Sequence, residues 1–307
     1  MHGVCVRALL LTLVLGVVGS CGSPASSASP SPSNSPFPPG IVSWGAGGVA
    51  IEPSTDIVAI AATAGHSMIL TRDGRVSSAI PAPPSVTDVV AISASASHDL
   101  ALRRDGTVVG WHFDNDTLEV AELDLPAGLT DVVAISAGGE HDMALRRDGT
   151  VIAWSVDPRG NEYGQAVVPA GLSDVIAISA GGTFSVALKK YGTVVAWGDP
   201  AATQVPAGLT GVKAISAGGA VTLALKEDGT VVAWGWDCCG TADVPEGLSH
   251  VKAISASGNP FALALREDGT VVAWGKGTSG QTDVPPGLSG VVAIAAGDHY
   301  GMALVGP

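Results

Sequence analysis

The chain has little positive charge and few aromatic side chains. Its 307 residues include 15 Lys and Arg against 28 Asp and Glu, a formal net charge of −13, and only 5% are Phe, Trp or Tyr. Because an acidic surface repels a phosphate backbone, nucleic-acid binding is not expected. Charged residues make up 14% of the chain, whereas Gly (41) and Pro (20) are abundant. Turn-forming and β-branched residues together favour an all-β protein.

Cysteine is also scarce, with Cys5, Cys21, Cys238 and Cys239 as the four examples. Two of them lie close to the N-terminus, so no disulfide framework is expected to hold the fold together. Cys238 and Cys239 are adjacent. They are either a pair of loop thiols or a strained vicinal disulfide, and the sequence leaves both open.

Residues 1–20 have the features of an export signal, because Arg7 precedes a short apolar segment. The sequence Val18-Gly19-Ser20-Cys21 resembles a bacterial lipobox. That resemblance implies cleavage before Cys21 and lipidation of its thiol, with membrane contact through this anchor only. Ordinary secretion after a nearby cut is the alternative. The Ser/Pro-rich residues 21–39 are expected to form an extended tether between the anchor and the folded domain.

One sequence unit recurs through residues 40–307, which we predict to be a single domain. Its first strand reads V-x-A-I-S-A-G, and its second and third strands read A-L-R-x-D-G-T-V-V-A-W-G. The isoleucine recurs every 32 to 43 residues, at Ile60, Ile92, Ile135, Ile178, Ile215, Ile254 and Ile294. Seven copies with a period near 40 residues predict a seven-bladed β-propeller.

Each blade is predicted to be a four-stranded antiparallel sheet. Asp-Gly pairs such as Asp148-Gly149 predict a two-residue turn between the second and third strands, with positive φ at both residues. The segment before V-P-x-G-L is interpreted as an outer strand, where proline is tolerated at a sheet edge. The last copy ends after two strands, and segments 41–45 and 49–53 would supply the other two. A mixed blade from both ends of the chain therefore closes the predicted ring and removes its open edges.

The repeats A-I-S-A-G, A-L-K-E-D-G-T-V-V-A-W-G and G-Q-T-D-V-P resemble the regulator-of-chromosome-condensation repeat family. Within it, they are similar to bacterial secreted propellers that include β-lactamase inhibitor proteins. The resemblance implies a seven-bladed propeller. Guanine-nucleotide exchange, the activity of the eukaryotic family member, is not expected because the chain is acidic and has an export signal. Inhibition of β-lactamase is not expected either, because the loops between the first and second strands carry small residues where the inhibitors present aromatic ones.

Variation between the copies predicts where a partner binds. In a four-stranded blade, the loops after the first and third strands lie on one face, and here those loops vary while the D-G-T turns do not. Aromatic side chains are the usual anchors of such contacts. The candidate contact residues are His112, Phe113, Glu140, Arg159, Tyr163, Trp236, Asp237, Asn259, Asp298, His299 and Tyr300.

Other recurring residues are interpreted as structural. The tryptophans of the W-G position are expected to pack between blades, with Ala79 marking the thinnest blade. His66, His98 and His141 share one position, and structural hydrogen bonding explains them better than metal binding. Whether the acidic segment 114–124 binds calcium is left open.

These features predict a non-catalytic, monomeric binding protein outside the cytoplasm. It has no cofactor or metal, and it contacts an unidentified protein or surface ligand. The alternative is an enzyme or lectin that acts on cell-wall or polysaccharide material, because the central opening of a propeller can hold such a site. A channel lined by several carboxylates would favour the alternative, whereas one lined by Ala, Ser and Gly would count against it.

Overall fold

The computed structural model describes residues 37–47, 56–63, 65–114, 119–156 and 162–306. All regular secondary structure in these residues is β-strand, arranged as seven antiparallel sheets. No helix in this part of the chain is long and apolar enough to cross a membrane. The predicted all-β, seven-bladed propeller is therefore confirmed.

The strands are β1 (Gly40–Gly45), β2 (Ile57–Ala62), β3 (Ser67–Thr71), β4 (Val76–Ser78), β5 (Val89–Ala94), β6 (His98–Arg103), β7 (Val108–Asp114), β8 (Glu119–Glu122), β9 (Val132–Ala137), β10 (His141–Arg146), β11 (Val151–Ser155), β12 (Val175–Ala180), β13 (Phe184–Lys189), β14 (Val194–Gly198), β15 (Val212–Ala217), β16 (Val221–Lys226), β17 (Val231–Gly235), β18 (Val251–Ala256), β19 (Phe261–Arg266), β20 (Val271–Gly275), β21 (Val291–Ala296) and β22 (Tyr300–Val305). Blade 1 contains β2–β4, blade 2 β5–β8, blade 3 β9–β11, blade 4 β12–β14, blade 5 β15–β17, blade 6 β18–β20, and blade 7 β21, β22 and β1.

The ring closes through the mixed blade that the sequence predicts. Strand β1 pairs antiparallel with β22, from Gly40 opposite Val305 to Gly45 opposite Tyr300. Strand β2 packs against β21, so blade 7 adjoins blade 1. The segment 49–53, predicted to be the fourth strand of this blade, lies outside the described residues.

The prediction of four strands in each blade is wrong for most of the described chain. Within the described residues, six sheets have three strands, and blade 2 has a fourth, in which β8 pairs with the end of β7. The V-P-x-G-L segments form turns instead of ending an outer strand. In one of them the Leu209 N–H donates to the Pro206 carbonyl at 3.1 Å, and Gly208 has a φ of 78°. Glycine with positive φ before the last turn residue is typical of a type II turn, which reverses the chain before a strand can form.

The hairpin turns also differ from the prediction. Gly149 has a φ of 82°, but Asp148 does not have positive φ. The Arg146 N–H donates to the Thr150 carbonyl, so three residues rather than two form the loop. This is the type I turn followed by a left-handed glycine that is common in three-residue hairpins. The Asp148 carboxylate accepts hydrogen bonds from the N–H and hydroxyl of Thr150, at 3.0 and 2.7 Å, which accounts for the D-G-T sequence.

The hydrophobic core is divided among the seven seams between neighbouring blades. Each of seven apolar clusters contains residues from two adjacent blades. The W-G tryptophans pack against the preceding blade: Trp274 of blade 6, for example, joins Leu223 of blade 5 and donates its indole N–H to the Thr241 carbonyl at 2.8 Å. Their predicted core role is confirmed, although Trp154 is only half-buried. Blade 1, which has Ala79 at this position, has the shortest third strand of the described blades, as predicted.

The serine of A-I-S-A links each first strand to the next blade. Its hydroxyl accepts a hydrogen bond from the backbone N–H of the last alanine in the neighbouring first strand. The five bonds, of 2.9 to 3.0 Å, join Ser93 to Ala137, Ser136 to Ala180, Ser179 to Ala217, Ser216 to Ala256 and Ser255 to Ala296. Ala61 and Ala295 replace this serine in blades 1 and 7. The seams between blades 1 and 2 and between blades 7 and 1 therefore have no bond of this type.

Replacing Ser255 by Ala is expected to lower the free energy of unfolding by about 1–3 kcal/mol, because it leaves the buried Ala296 N–H without its acceptor. Ser249→Ala is the matched control. The Ser249 hydroxyl contacts only the exposed His250 ring in the described structure, so a change within about 0.5 kcal/mol is expected. Urea denaturation of both variants measures the difference. Equal losses in the two proteins would contradict a role for the serine bond.

Candidate functional site

The loops after the first and third strands lie together on one face, which we call the loop face. In five blades the residue directly after the third strand donates its N–H to a carbonyl of the loop between the first and second strands. These bonds, of 2.7 to 3.2 Å, join Ala46 to His299, Val156 to Glu140, Asp199 to Thr183, Trp236 to Ala220 and Lys276 to Pro260. We call this donor, the first residue after the third strand, the rim position of its blade. In blade 2 we assign the rim position to Phe113. The strand order predicted from the sequence places the same loops together on one face.

A channel of about 300 Å³ opens on the loop face and is lined by all seven first strands. Its walls are Ala, Ser, Gly and Ile, with Thr63 near the mouth. Asp298 is the one charged side chain among the described lining residues. Burial raises the pKa of this carboxyl, although the Asn259 N–H donates to it at 3.2 Å and acts in the opposite direction.

Glycine at the mouth of the channel is required by the contact between blades. The Gly182 N–H donates to the Gly218 carbonyl at 3.1 Å, and the Gly219 N–H donates to the Ser257 carbonyl at 3.0 Å. A Cβ atom on Gly219 would lie 2.1 Å from the Gly258 carbonyl oxygen, and one on Gly182 would lie 2.5 Å from that of Gly219. Real side chains do not tolerate such distances. The small residues of these loops therefore serve backbone packing between blades rather than contact with a partner.

The histidines at the start of the second strands also join neighbouring blades. Nε2 of His66 lies 2.7 Å from Asp99 Oδ1, and Nε2 of His98 lies 2.7 Å from Asp142 Oδ1. Nε2 of His141 lies 2.7 Å from the Ser185 hydroxyl. Because His98 and Asp99 contact blades on opposite sides, these adjacent residues are not arranged as a catalytic pair. Among the described residues, no three His, Cys, Asp or Glu side chains are grouped to hold a metal ion. Residues 115–118 of the acidic segment 114–124 lie outside them.

The residues at the start of the second strands form a column that crosses from blade to blade. Burial changes the pKa values of residues in and beside this column. It lowers the pKa of His141 from 6.5 to about 4, since protonation would add an N–H at Nδ1, which has no acceptor in the described structure. It raises the pKa of Asp142, which the bond from His98 opposes. Tyr300 occupies the same column in blade 7, where burial raises its pKa to about 12 and its hydroxyl donates to the His66 carbonyl at 2.7 Å.

Tyr300 is therefore unavailable as the surface contact that the sequence suggests. Its exposed fraction is 3%, and Phe184, at the same position of blade 4, is fully buried. The sequence signal for this was the shared position with His66, His98 and His141, since Tyr300 likewise begins its second strand.

The other candidate aromatics are exposed on the loop face. Trp236 is 63% exposed, Tyr163 49% and Phe113 40%. Trp236 and Phe113 both occupy the rim position, on blades 5 and 2. Tyr163 lies over blade 3, where its N–H donates to Gln165 and the Gln165 amide donates to Glu140. The structure thus distributes these three side chains around the channel rather than grouping them in one pocket.

The remaining predicted contact residues have different surroundings. Glu140 and His299 are exposed, and His112, Asn259 and Asp298 are half-buried. The Asp237 carboxylate accepts the N–H groups of Cys239, Thr241 and Ala242 at 2.9 to 3.0 Å and so holds its own loop. Burial opposes ionisation of Asp237, yet these bonds hold its pKa below the ordinary value. Arg159 and Cys21 lie outside the described residues.

Sequence reasoning missed Asp199 and Lys276, which also occupy the rim position. The signal was available, because each directly follows a W-G pair, as Trp236 does. When a variable residue directly follows one that recurs in every copy, its side chain is expected to face outward.

Charge is distributed unevenly between the two faces. The described loop face carries Lys276 as its basic residue and several carboxylates, at Glu140, Glu162, Asp199, Asp237 and Asp298. The other described Lys and Arg residues lie near the hairpin turns of the opposite face, which we call the turn face, or at the adjacent start of a first strand. The described loop face is therefore net negative, whereas on the turn face carboxylates such as Asp148 and Asp228 lie beside basic residues that offset them.

The closed ring and the loop face define a seven-bladed β-propeller with a candidate binding surface around its channel. A family model described as "Regulator of chromosome condensation (RCC1) repeat" matches residues 212–241 and 251–281, which correspond to blades 5 and 6. Among curated protein sequences no significant match is found.

Solved structures with similar folds come from several organisms. Yeast RCC1 (Prp20), in a structure bound to Kap60, aligns with a TM-score of 0.69 and 17% identity over 88% of this chain and 89% of its own. Human WBSCR16 aligns with a TM-score of 0.65 and 15% identity over 88% and 99%. The ectodomain of the Physcomitrella patens receptor kinase CR4 aligns with a TM-score of 0.61 and 22% identity over 79% and 69%. At these identities the similarity establishes the propeller fold alone.

Replacing His141 by Gln, which keeps an N–H for Ser185 but does not titrate, is expected to reduce the loss of stability in acid. Because the folded-state pKa of about 4 lies below 6.5, the unfolded chain binds the proton first as pH falls. His141 therefore leaves the free energy of unfolding unchanged above pH 6.5 and lowers it progressively toward pH 4. The lowered pKa of His141 corresponds to a loss of about 2 kcal/mol in the free energy of unfolding at pH 5.

Urea denaturation of both proteins at neutral pH and near pH 5 isolates this contribution, since Asp142 is present in each. Asp142, with a raised pKa, changes stability in the opposite direction with pH. Parallel pH profiles for the two proteins would show that His141 does not carry the effect.

Proposed function

We propose that the protein is a non-catalytic binding module whose loop face binds another protein outside the cytoplasm. The observation that carries this proposal is the set of exposed aromatics, Phe113, Tyr163 and Trp236, on the face that contains the variable loops. Exposed Trp and Tyr side chains on a rigid scaffold are the usual anchors of protein interfaces. Their positions around the channel suit a partner broad enough to contact several blades.

The lining of the channel supports binding over catalysis. Glycoside hydrolysis requires two carboxyl groups across the scissile bond. The described walls contain one carboxylate, Asp298, among Ala, Ser, Gly and Ile. His66, His98 and His141 are buried in the seams and bonded to neighbouring blades. These features give no support to the alternative of an enzyme or lectin that acts on polysaccharide.

The charge on the loop face indicates the character of the partner. Carboxylates at Glu140, Glu162 and Asp199 lie on the same face as the aromatic side chains, and Lys276 is the basic residue described there. Complementary charge speeds association and disfavours acidic partners. We infer that the partner presents Lys or Arg around an apolar contact. A propeller in a protein complex has a precedent in the yeast structure, where the similar domain is bound to Kap60.

Anchoring at Cys21 is the second part of the proposal. Its support is the sequence, in which small residues precede Cys21 after an apolar segment and a Ser/Pro-rich stretch follows. Durable attachment to a membrane requires more than one acyl chain, and lipidation of the Cys21 thiol and amine would supply them.

Removing the exposed aromatics is expected to weaken partner binding. Trp236→Ala and Tyr163→Ala should each reduce affinity about tenfold or more if the side chain anchors the contact. Tyr191→Ala is the matched control, because Tyr191 is 78% exposed but lies in a hairpin turn on the opposite face. Partners cross-linked to the wild-type chain in an envelope extract of the host would be identified and their affinities for all three variants measured. Equal affinities throughout would remove the loop face as the binding surface.

The lipid anchor has a separate test. Cys21→Ser is expected to abolish incorporation of labelled fatty acid and to release the protein from the membrane fraction, because serine cannot form the thioether. Cys5→Ser is the control, since Cys5 lies within the predicted signal and should leave lipidation unchanged. A Cys21→Ser protein that is processed normally and stays in the membrane fraction would show that the anchor is wrong.

A further inference from the structure

A pair of adjacent thiols lies on the loop face beside its most exposed tryptophan. Cys238 and Cys239 follow Trp236 in the loop after β17, and their Sγ atoms lie 2.7 Å apart. Both are free thiols in the structure, with Cys238 exposed and Cys239 half-buried. Because they are so close, a disulfide between them can form within one loop and would not link different parts of the fold.

The loop that carries these thiols is held by several hydrogen bonds to one carboxylate. Asp237 accepts the N–H groups of Cys239 and Thr241, both at 3.0 Å, and that of Ala242 at 2.9 Å. Gly240 has a φ of 80°, which allows the chain to turn back at this point. The carboxylate therefore fixes the backbone on either side of the thiols and presents them to solvent in one arrangement.

The two thiols are not equivalent. The hydrogen bond with Cys238 raises the pKa of Cys239, so Cys239 keeps its proton more readily than an ordinary thiol. Cys238 is the more exposed of the two. Attack on a dissolved disulfide requires a thiolate that solvent can reach. Cys238 therefore reacts first and Cys239 second.

We propose that Cys238 and Cys239 form a modification site that a low-molecular-weight disulfide oxidises to a vicinal disulfide. The Cys238 thiolate attacks one sulfur of the disulfide RSSR, forms a mixed disulfide and releases RS⁻. Cys239 then loses its proton and attacks the Cys238 sulfur, closing the Cys238–Cys239 bond and releasing the second RS⁻. The two thiols are oxidised, RSSR is reduced to two RSH, and both protons pass to the released thiolates.

Oxidation would change the surface that surrounds Trp236. The disulfide ring includes the peptide bond between the two cysteines, so it constrains the Cys239 N–H that Asp237 now accepts. Asp237 is adjacent to Trp236, which is 63% exposed at the rim position. The redox state of the pair therefore alters the position of an anchor for the partner, a consequence that rests on the proposed binding function.

The modification can be tested on the full chain with oxidised and reduced glutathione as the redox buffer. Trypsin releases Cys238 and Cys239 together in peptide 227–252, which contains neither Cys5 nor Cys21. Iodoacetamide followed by mass spectrometry then counts the free thiols. As the share of oxidised glutathione rises, the wild-type peptide is expected to change from two alkylated cysteines to none, without a lasting glutathione adduct.

Single substitutions test the order of the steps. Cys239→Ser is expected to accumulate one glutathione adduct on Cys238, because the second thiol is missing. Cys238→Ser should form its adduct about tenfold more slowly, since Cys239 is less exposed and holds its proton. Two alkylated cysteines at every glutathione ratio, or a stable adduct in the wild-type protein, would overturn the proposal.

Tryptophan fluorescence provides a readout that does not depend on a partner. Oxidation is expected to shift the emission of the wild-type chain. Trp236→Phe should remove that shift, because Trp236 is the exposed tryptophan beside the thiols, whereas Trp274, which donates to the Thr241 carbonyl of the same loop, is buried. A disulfide that forms without any change in emission would overturn the effect on Trp236 while the modification site stands. Loss of partner binding in Trp236→Ala, by contrast, tests the proposed function whatever the redox state of the thiols.

Discussion

The structure depends on the hydrogen bonds that cross the seams between blades. A three-stranded sheet has two faces to bury, and the apolar clusters between neighbours bury them without fixing how the blades align along the channel. The serine hydroxyls fix that alignment, because each accepts the N–H of one particular alanine in the next blade. Blades 1 and 7 lack the serine, and there the column that starts the second strands supplies the contact. His66 bonds to Asp99 across one seam, and Tyr300 bonds to the His66 carbonyl across the other.

This division leaves the side chain at the rim position of six blades outside the apolar clusters. A neighbouring blade is contacted by the first strand, by the glycines at the channel mouth and by the tryptophan. At the rim position the backbone N–H bonds to the loop between the first and second strands while the side chain varies, although the Asp199 carboxylate also accepts the Ala201 N–H at 2.9 Å. Trp236, Lys276 and Asp199 show how far it varies among adjacent blades. Binding specificity can therefore change on this face while the fold stays the same.

The repeat made the architecture predictable, whereas the features that are not periodic had to be observed. Seven first strands and the shared last blade follow from counting copies of one unit. The repeat also predicts an outer strand before V-P-x-G-L, because the proline that begins this type II turn is equally accepted at a sheet edge. Tyr300 was predicted to lie on the surface, since its aromatic ring suggested an anchor while its position in the unit indicated the seam. The sequence located Trp236 and Tyr163, but not the dispersed arrangement of the exposed aromatics, which depends on the angles between blades.

The direction in which the chain enters the ring sets the side of the domain from which a tether to Cys21 would leave. Strand β1 begins at Gly40 opposite Val305, at the edge of the turn face, and ends at Gly45 beside the loop face. With a lipid at Cys21, the attachment would therefore emerge beneath the propeller, on the side of the hairpin turns. The bilayer and the partner would then be on opposite sides of the disc. The exposed aromatics would point outward, away from the lipid surface that could otherwise cover them.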